Sequence, residues 1–310
     1  MNAFILSLRD QKFGGAVTSG HLYRVGAPRD ESWDDRLPDF TLRTRGQRLT
    51  VFLHGFNNSL AEGREKLVRF IGWLEQKGST DLMLAVLWPG DSWAGMSRFT
   101  SWAGAASYPS ESRDADDSAD NLLTWIVLNV DESARVAFVG HSLGCRVVMR
   151  AAQRMVREVK VKKPILDRIC LMAAAIDNDS LGKEGLTSYR DAALKADRLA
   201  VLASEQDRVL QLAYPAGDVA QSWWPFSGER SVWALGRYGP EDCPPDVLAK
   251  IESRMADPGR DIGHSDYLPV YPTPSPPENQ TRAESEQFVF EFLSRHPNPD
   301  WPAERPKPKP

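Results

Sequence analysis

Gly140-His141-Ser142-Leu143-Gly144 carries the strongest structural signal in this chain. The apolar run 134–139 before it is typical of a buried strand, and residues 145–159 after it repeat apolar side chains at helical spacing. Glycines two residues before and after a serine remove side chains that would clash in a sharp strand-to-helix turn. Such a turn exposes the serine hydroxyl at the positive end of the helix dipole. The segment therefore predicts that Ser142 is a nucleophile, against the simpler interpretation of an ordinary serine in a turn.

Strand and helix patterns alternate on both sides of this turn. Short apolar runs that predict buried strands lie at 49–54, 83–88, 134–139, 165–176 and 199–203. Helices are predicted between them, including one at 117–129 whose first turn carries the acidic run at 114–120, and one at 145–159 with its arginines in solvent. This alternation predicts the α/β class, with a mainly parallel sheet flanked by helices on both faces.

The chain length of 310 residues fits one large α/β domain. We expect this domain to span residues 1–296, with an N-terminal hairpin region at 1–45 and a possible cap or insertion at 215–262. The Pro/Lys-rich tail 297–310 is expected to be extended or disordered.

Finer elements have weaker patterns. Residues 91–110 predict a loop, 231–235 a strand and 247–254 a short helix. Thr281, followed three residues later by a glutamate, resembles a capping box and predicts the start of the last helix.

Composition excludes several classes of protein. The net charge of -4 is not the basic charge expected of a protein that binds nucleic acid. Three widely spaced cysteines have no zinc-binding or redox spacing, so we expect no metal and no cofactor. The N-terminus lacks a signal-peptide pattern, and no apolar run approaches the roughly 20 residues that cross a membrane. We therefore expect a cytoplasmic protein with a small-molecule partner, and leave its oligomeric state open.

A nucleophilic serine needs a base that accepts its proton. The chain has five histidines. His264 follows Ser142 in the chain and lies in a loop after the last predicted sheet strand, as the order serine, acid, histidine requires. His141 is adjacent to Ser142, and we expect its side chain to point away from the site. We therefore predict His264 as the base, against the alternative of a hydrogen-bonded surface histidine.

The acid that orients this base should lie between Ser142 and His264, just after a strand. Asp207 follows the predicted strand 199–203, and Asp177 follows the strand before it. Asp207 is preferred because the acid more commonly follows the second strand beyond the nucleophile, and Asp177 is the alternative acid. Asp207 also fits a helix N-cap, and one carboxylate can serve both roles. Asp266 is close to His264 in sequence and is a weaker candidate.

Acyl transfer also needs donors aimed at the developing oxyanion. The backbone N–H of Leu143, directly after the nucleophile, is one candidate. The N–H of Phe56 is the second, because Gly55 before it allows close approach of the backbone. Asn57 and Asn58 fit either a brace for this loop or a cap for the following helix.

These motifs together resemble the α/β-hydrolase superfamily, and more closely a bacterial branch with no assigned substrate. The matching segments are His54-Gly55-Phe56-Asn57, Trp88-Pro89, Asp114–Asn121, Asp207-Arg208-Val209-Leu210 and Gly263-His264-Ser265. The resemblance covers about residues 48–270 and does not extend to the first 45 residues or the tail. It implies a catalytic triad of Ser142, Asp207 and His264, and a mainly parallel sheet of about eight strands.

The resemblance and the motifs indicate a cofactor-independent serine hydrolase that cleaves carboxylic esters through an acyl-enzyme. A lipase, a thioesterase and an amidase of the same fold remain open. A non-catalytic binding module of this fold is an alternative of another class, as is an interaction protein that recruits a partner through residues 297–310.

Overall fold

The computed structural model describes residues 3–10, 16–26, 30–56, 58–90, 101–160, 162–185, 188–211, 233–256, 262–269, 276–294 and 303–304. Only the backbone is described for 101–111, 253–255, 276–283 and 303–304. Asn57, the first half of the predicted loop 91–110, much of the possible cap at 215–262 and most of the tail lie outside these residues.

The ten strands of the described chain form one sheet. In chain order they are β1 (Ala3–Arg9), β2 (Val17–Arg24), β3 (Glu31–Ser32), β4 (Arg48–Leu53), β5 (Leu82–Leu87), β6 (Arg135–His141), β7 (Ile165–Met172), β8 (Arg198–Ala203), β9 (Ile251–Ala256) and β10 (Ala303–Glu304). Their order across the sheet is β10-β9-β8-β7-β6-β4-β5-β1-β2-β3. Every pair from β9 to β1 is parallel, and β2, β3 and β10 join antiparallel at the edges. The predicted α/β class is confirmed, and the two-residue strands at both edges leave eight longer strands.

Helices cover the sheet and make the crossovers between its parallel strands. They are α1 (Leu37–Thr44), α2 (Leu60–Gln76), α3 (Ser101–Asn129), α4 (Gly144–Arg157), α5 (Arg190–Lys195), α6 (Leu235–Tyr238), α7 (Pro245–Leu248) and α8 (Pro276–Leu293). The apolar face of α2 is buried, through Leu67, Phe70, Ile71 and Leu74. Within the described ranges, each helix is too short or too polar to cross a bilayer.

Several predicted boundaries are wrong. The helix predicted at 117–129 begins at Ser101, so the second half of the predicted loop 91–110 is helical. Glycine and proline are unfavourable in a helix interior, so the local propensity of a segment with Gly104 and Pro109 does not account for this helix. The last helix begins at Pro276 rather than Thr281, consistent with the preference of proline for the first helical turn.

Strand pairing overrides the local pattern near the end of the sheet. The helix predicted at 247–254 stops at Leu248, and Ile251–Ala256 pairs in parallel with β8 as β9. Of the strand predicted at 231–235, the structure describes only 233–235, where Ala234 bridges to Asp177 and α6 begins at Leu235. Both differences arise from backbone partners that are distant in sequence.

The arginines of α4 face the acidic residues of α3 rather than solvent alone. Arg146 makes a bidentate pair with Asp116, at 2.8 and 3.1 Å. Arg150 and Arg154 both pair with Asp120. The acidic run lies in the middle of α3, so the expectation that it occupies a first helical turn is wrong. These charges instead join two neighbouring helices.

Parallel strands bring their carboxyl ends to one edge of the sheet, where such folds form their sites. β4 and β6 are neighbours, with Leu53 opposite Gly140, so the loop after β4 meets the turn that holds Ser142. Asp207 follows β8, two strands from β6. The topology thus gathers the loops after β4, β6 and β8.

Candidate active site

Ser142 lies in a strained turn between β6 and α4. Its backbone φ is +54°, in the left-handed region that non-glycine residues rarely adopt. A Cβ on Gly144 would lie 2.4 Å from the carbonyl oxygen of His54, and one on Gly140 would lie 3.0 Å from Cα of Cys145. At Gly144 the backbone of the neighbouring loop fills the space of a side chain, and at Gly140 a Cβ would have to displace backbone of the same turn.

The structure brings Ser142, His264 and Asp207 into one hydrogen-bonded chain. Nε2 of His264 lies 2.8 Å from Oγ of Ser142, and Nδ1 of His264 lies 2.7 Å from Oδ2 of Asp207. A carboxylate only accepts hydrogen bonds, so Nδ1 carries the proton and Nε2 is left to accept from the serine hydroxyl. This is the arrangement that activates a serine as a nucleophile.

Asp207 is fully buried, and both of its carboxylate oxygens have donors. Oδ2 accepts from His264, and Oδ1 accepts from the backbone N–H of Leu210 at 2.9 Å. The backbone oxygen of Asp207 accepts from the Arg237 guanidinium at 2.7 Å. Asp207 therefore orients the histidine and caps the helical turn at 208–211, the two roles left open by the sequence.

The other candidate acids lie in different surroundings. Asp177 forms an ion pair with Lys183, at 3.3 Å, and its backbone bridges to Ala234. Asp266 accepts from the backbone N–H of Gly263 at 2.7 Å, a contact that shapes the loop carrying His264. The carboxylate at Nδ1 of His264 belongs to Asp207.

The loop after β4 packs directly against the serine turn. A Cβ on Gly55 would lie 2.7 Å from Cβ of Ser142. The Gly55 carbonyl accepts from Nδ1 of His54 and from Nδ2 of Asn58, each at 2.8 Å. The N–H of Phe56 belongs to the same planar peptide and points opposite to that carbonyl. The two donors therefore fix the direction of the Phe56 N–H.

Asn58 braces this loop rather than capping the next helix. Its buried amide also donates to the Phe56 carbonyl at 3.1 Å. The N-cap of α2 is Ser59, which forms a capping box with Glu62. Asn57, the second candidate from the sequence, lies outside the described residues.

Sequence reasoning missed Lys66 and the packing role of Trp88. Nζ of Lys66 lies 2.6 Å from Oδ1 of Asn58, so a cation supports the brace. The Trp88 ring stacks on His54 at 5.7 Å and 13°, and its indole N–H donates to the His54 carbonyl at 2.9 Å. No sequence motif predicts the role of Lys66, because its contact with Asn58 depends on how the first turns of α2 fold.

The ring of His141 lies within the site, so the expectation that it points away is wrong. Its Nε2 lies 2.8 Å from the carbonyl oxygen of His264. Leu143, which follows Ser142, is the N-cap residue of α4 and is buried. Among the described residues, no group of three or more histidine, cysteine, aspartate or glutamate side chains is arranged to hold a metal ion.

Burial keeps two histidines of this region neutral. It lowers the pKa of His54 to about 4, against an ordinary value of 6.5. The pKa of His141 also lies well below 6.5, first because of burial and then because of the adjacent His264. Burial disfavours the charged imidazolium in both cases.

We expect the free energy of unfolding to fall as the pH drops from about 6.5 towards 4, because of His54. In this window the unfolded chain binds a proton at His54 that the folded chain does not, which costs up to about 1.4 kcal/mol per pH unit. Asparagine at this position keeps a donor near Nδ1 and does not titrate. Urea unfolding at about pH 7 and about pH 5 should therefore show a shallower loss in His54→Asn than in the wild type. Equal slopes would contradict the expectation.

Comparison with known proteins places this site in context. Residues 30–220 match the model of a family described as "Alpha/beta hydrolase of unknown function (DUF900)". The matched range includes Ser142 and Asp207 and stops before His264. A search of curated proteins found no match.

Solved structures with a similar backbone include two archaeal esterases. An esterase of Pyrococcus furiosus is 13% identical, with a TM-score of 0.40, over 81% of this chain and 83% of that one. A hyperthermophilic esterase of Pyrobaculum calidifontis is 13% identical, with a TM-score of 0.40, over 94% of this chain and 85% of that one.

Proposed function

Because this chain belongs to the family of α/β hydrolases of unknown function whose model it matches, we propose that it is a serine hydrolase that cleaves carboxylic esters through an acyl-enzyme. One observation carries the proposal: the continuous hydrogen bonds from Ser142 to His264, at 2.8 Å, and from His264 to Asp207, at 2.7 Å. A serine needs this kind of chain to react near neutral pH.

Acylation begins when Oγ of Ser142 attacks the ester carbonyl carbon and its proton passes to Nε2 of His264. The buried carboxylate of Asp207 stabilises the imidazolium that forms and keeps Nε2 directed at the serine. The tetrahedral intermediate then collapses. The carbon–oxygen bond to the alcohol breaks, His264 donates its proton to the departing oxygen, and the acyl group stays on Ser142.

The negative charge of the intermediate is received by the backbone N–H groups of Phe56 and Leu143. Preorganised donors of this kind contribute a large share of the rate in acyl transfer. Deacylation repeats the sequence with water, which loses a proton to His264 as it attacks the acyl carbon. The products are a carboxylic acid and an alcohol, and no cofactor is consumed.

The direct test is labelling with a fluorophosphonate probe, followed by peptide mapping, beside turnover of p-nitrophenyl esters of graded acyl length. We expect the label on Ser142 and turnover that varies with acyl length. Absence of label on Ser142, with turnover no higher than in Ser142→Ala, would favour a non-catalytic binding module of the same fold.

Asn58, which braces the loop after β4, provides a second, more local test of the proposed function. In Asn58→Leu the Gly55 carbonyl keeps only the His54 donor and the Phe56 carbonyl loses its amide donor, so the direction of the Phe56 N–H is held less firmly. We expect kcat for an ester to fall by about 100-fold, with KM changed by only a few-fold, because the donor acts on the transition state.

A matched control is Asn121→Leu, which removes another asparagine bonded to a backbone carbonyl, that of Thr18, at 2.9 Å. This variant should keep wild-type kcat. If Asn58→Leu raised KM and left kcat unchanged, the brace would serve substrate binding rather than the oxyanion.

A further inference from the structure

His141 lies in the site, yet the proposed reaction uses none of its atoms. The residue is buried, and its Nε2 lies 2.8 Å from the backbone oxygen of His264. The two imidazole rings are tilted by 49°, with centroids 5.1 Å apart. The ring centroid of His141 also lies 6.2 Å from that of Tyr267. The side chain thus joins the serine turn to the loop that carries the base.

The direction of this hydrogen bond is set by its acceptor. A carbonyl oxygen accepts only, so Nε2 of His141 carries the proton and donates it. Nδ1 then has a lone pair, and it has no hydrogen-bond partner among the described residues. Burial and the neighbouring His264 favour the same neutral form by lowering the pKa of His141.

At Nδ1, the His141 ring is closed off by the loop after β4, which carries Gly55 and Phe56. A Cβ on Gly55 would lie 2.8 Å from Nδ1 of His141 and 2.7 Å from Cβ of Ser142. The ring therefore fills the space between Gly55 and the His264 backbone, and contacts on both sides fix it. His141 also directly precedes Ser142, whose backbone φ is +54°.

We propose that His141 is a positioning residue, which ties the loop of His264 to the serine turn so that the base stays within hydrogen-bond distance of Ser142. The inference rests on the proposed function. His264 is held at two points, its backbone oxygen by His141 and its ring by Asp207. A loop free to move by about 1 Å at the reacting groups loses about 100-fold in rate.

Three substitutions separate the hydrogen bond from the packing. The amide nitrogen of His141→Gln reaches the position of Nε2 and donates to the His264 carbonyl. The amide of His141→Asn reaches only the position of Nδ1, and His141→Leu has no donor. We expect the glutamine variant to react with a fluorophosphonate within about threefold of wild type, and the other two to react about 100-fold more slowly.

A second readout needs no substrate. The proton shared by His264 and Asp207 should give a low-field proton NMR resonance in the wild type and in His141→Gln. It should broaden or disappear in His141→Asn and His141→Leu while the melting temperatures of the glutamine and asparagine variants stay similar. The glutamine and asparagine pair keeps the test valid if the leucine variant does not fold.

Two outcomes overturn the proposal. One is wild-type labelling together with an intact low-field resonance in His141→Asn. The other is a loss in His141→Gln as large as in His141→Asn, which would show that the hydrogen bond is not the cause. If the wild-type protein itself does not react with the probe, the proposed function fails, and the resonance still decides the positioning role.

Discussion

Ser142→Ala should reduce ester turnover by about 10⁶-fold and leave the fold unchanged. Alanine keeps the Cβ of serine, so the strained backbone at φ +54° meets no new contact. The substitution removes Oγ, the atom 2.8 Å from Nε2 of His264 on which the proposed acyl-enzyme would form. The residual rate would come from substrate binding and the backbone donors alone.

The measurement is steady-state turnover of a p-nitrophenyl ester beside circular dichroism and thermal unfolding. Ser265→Ala is the matched control, because this exposed serine lies next to His264 in the same part of the structure. It should keep wild-type turnover. If Ser142→Ala retained a rate within tenfold of the wild type, another nucleophile would have to be sought.

Asp207→Asn should lower kcat by about 10⁴-fold, with the geometry preserved. The asparagine oxygen can still accept from the N–H of Leu210, which leaves its NH₂ group facing Nδ1 of His264. Nδ1 must then accept a hydrogen bond rather than donate one, so the ring proton moves to Nε2. In that tautomer the histidine cannot accept the proton of Ser142.

Asp177→Asn is the matched control for this substitution. Its carboxylate is paired with Lys183, whereas the carboxylate at Nδ1 of His264 belongs to Asp207. We expect turnover within a few-fold of wild type in Asp177→Asn. Full activity in Asp207→Asn, or an equal loss in the two variants, would contradict the assignment of the acid.

Much of the fold could be predicted because its signals are local. The apolar runs of the central strands and the glycines at 140 and 144 each report the backbone and burial of one short segment. Alternation with helices then implies a parallel sheet, whose carboxyl ends share an edge. The errors occur where a distant partner decides the local structure, as in β9, which forms because β8 offers a backbone edge.

The site divides in the same way. Chain order and motif allowed Ser142, Asp207 and His264 to be selected as candidates, with Asp177 open as the acid. Local sequence could not show that His141 turns into the site, since its partner is the backbone of a residue 123 positions away. Nor could it show Lys66 behind Asn58, because a single lysine on a helix matches no pattern.

The sequence alone predicted the α/β class, the serine turn and the set of candidate residues, because backbone conformation and burial produce periodic patterns of residues along the chain. Only the tertiary structure shows that Asp207 contacts Nδ1 of His264, fixes the direction of the Phe56 N–H and places His141 against the backbone of His264. These depend on distances between loops that the sheet brings together, such as Ser142 and His264, which are 122 residues apart in sequence and 2.8 Å apart in space. The order of the strands in the sheet sets those distances, and a local sequence pattern does not predict that order.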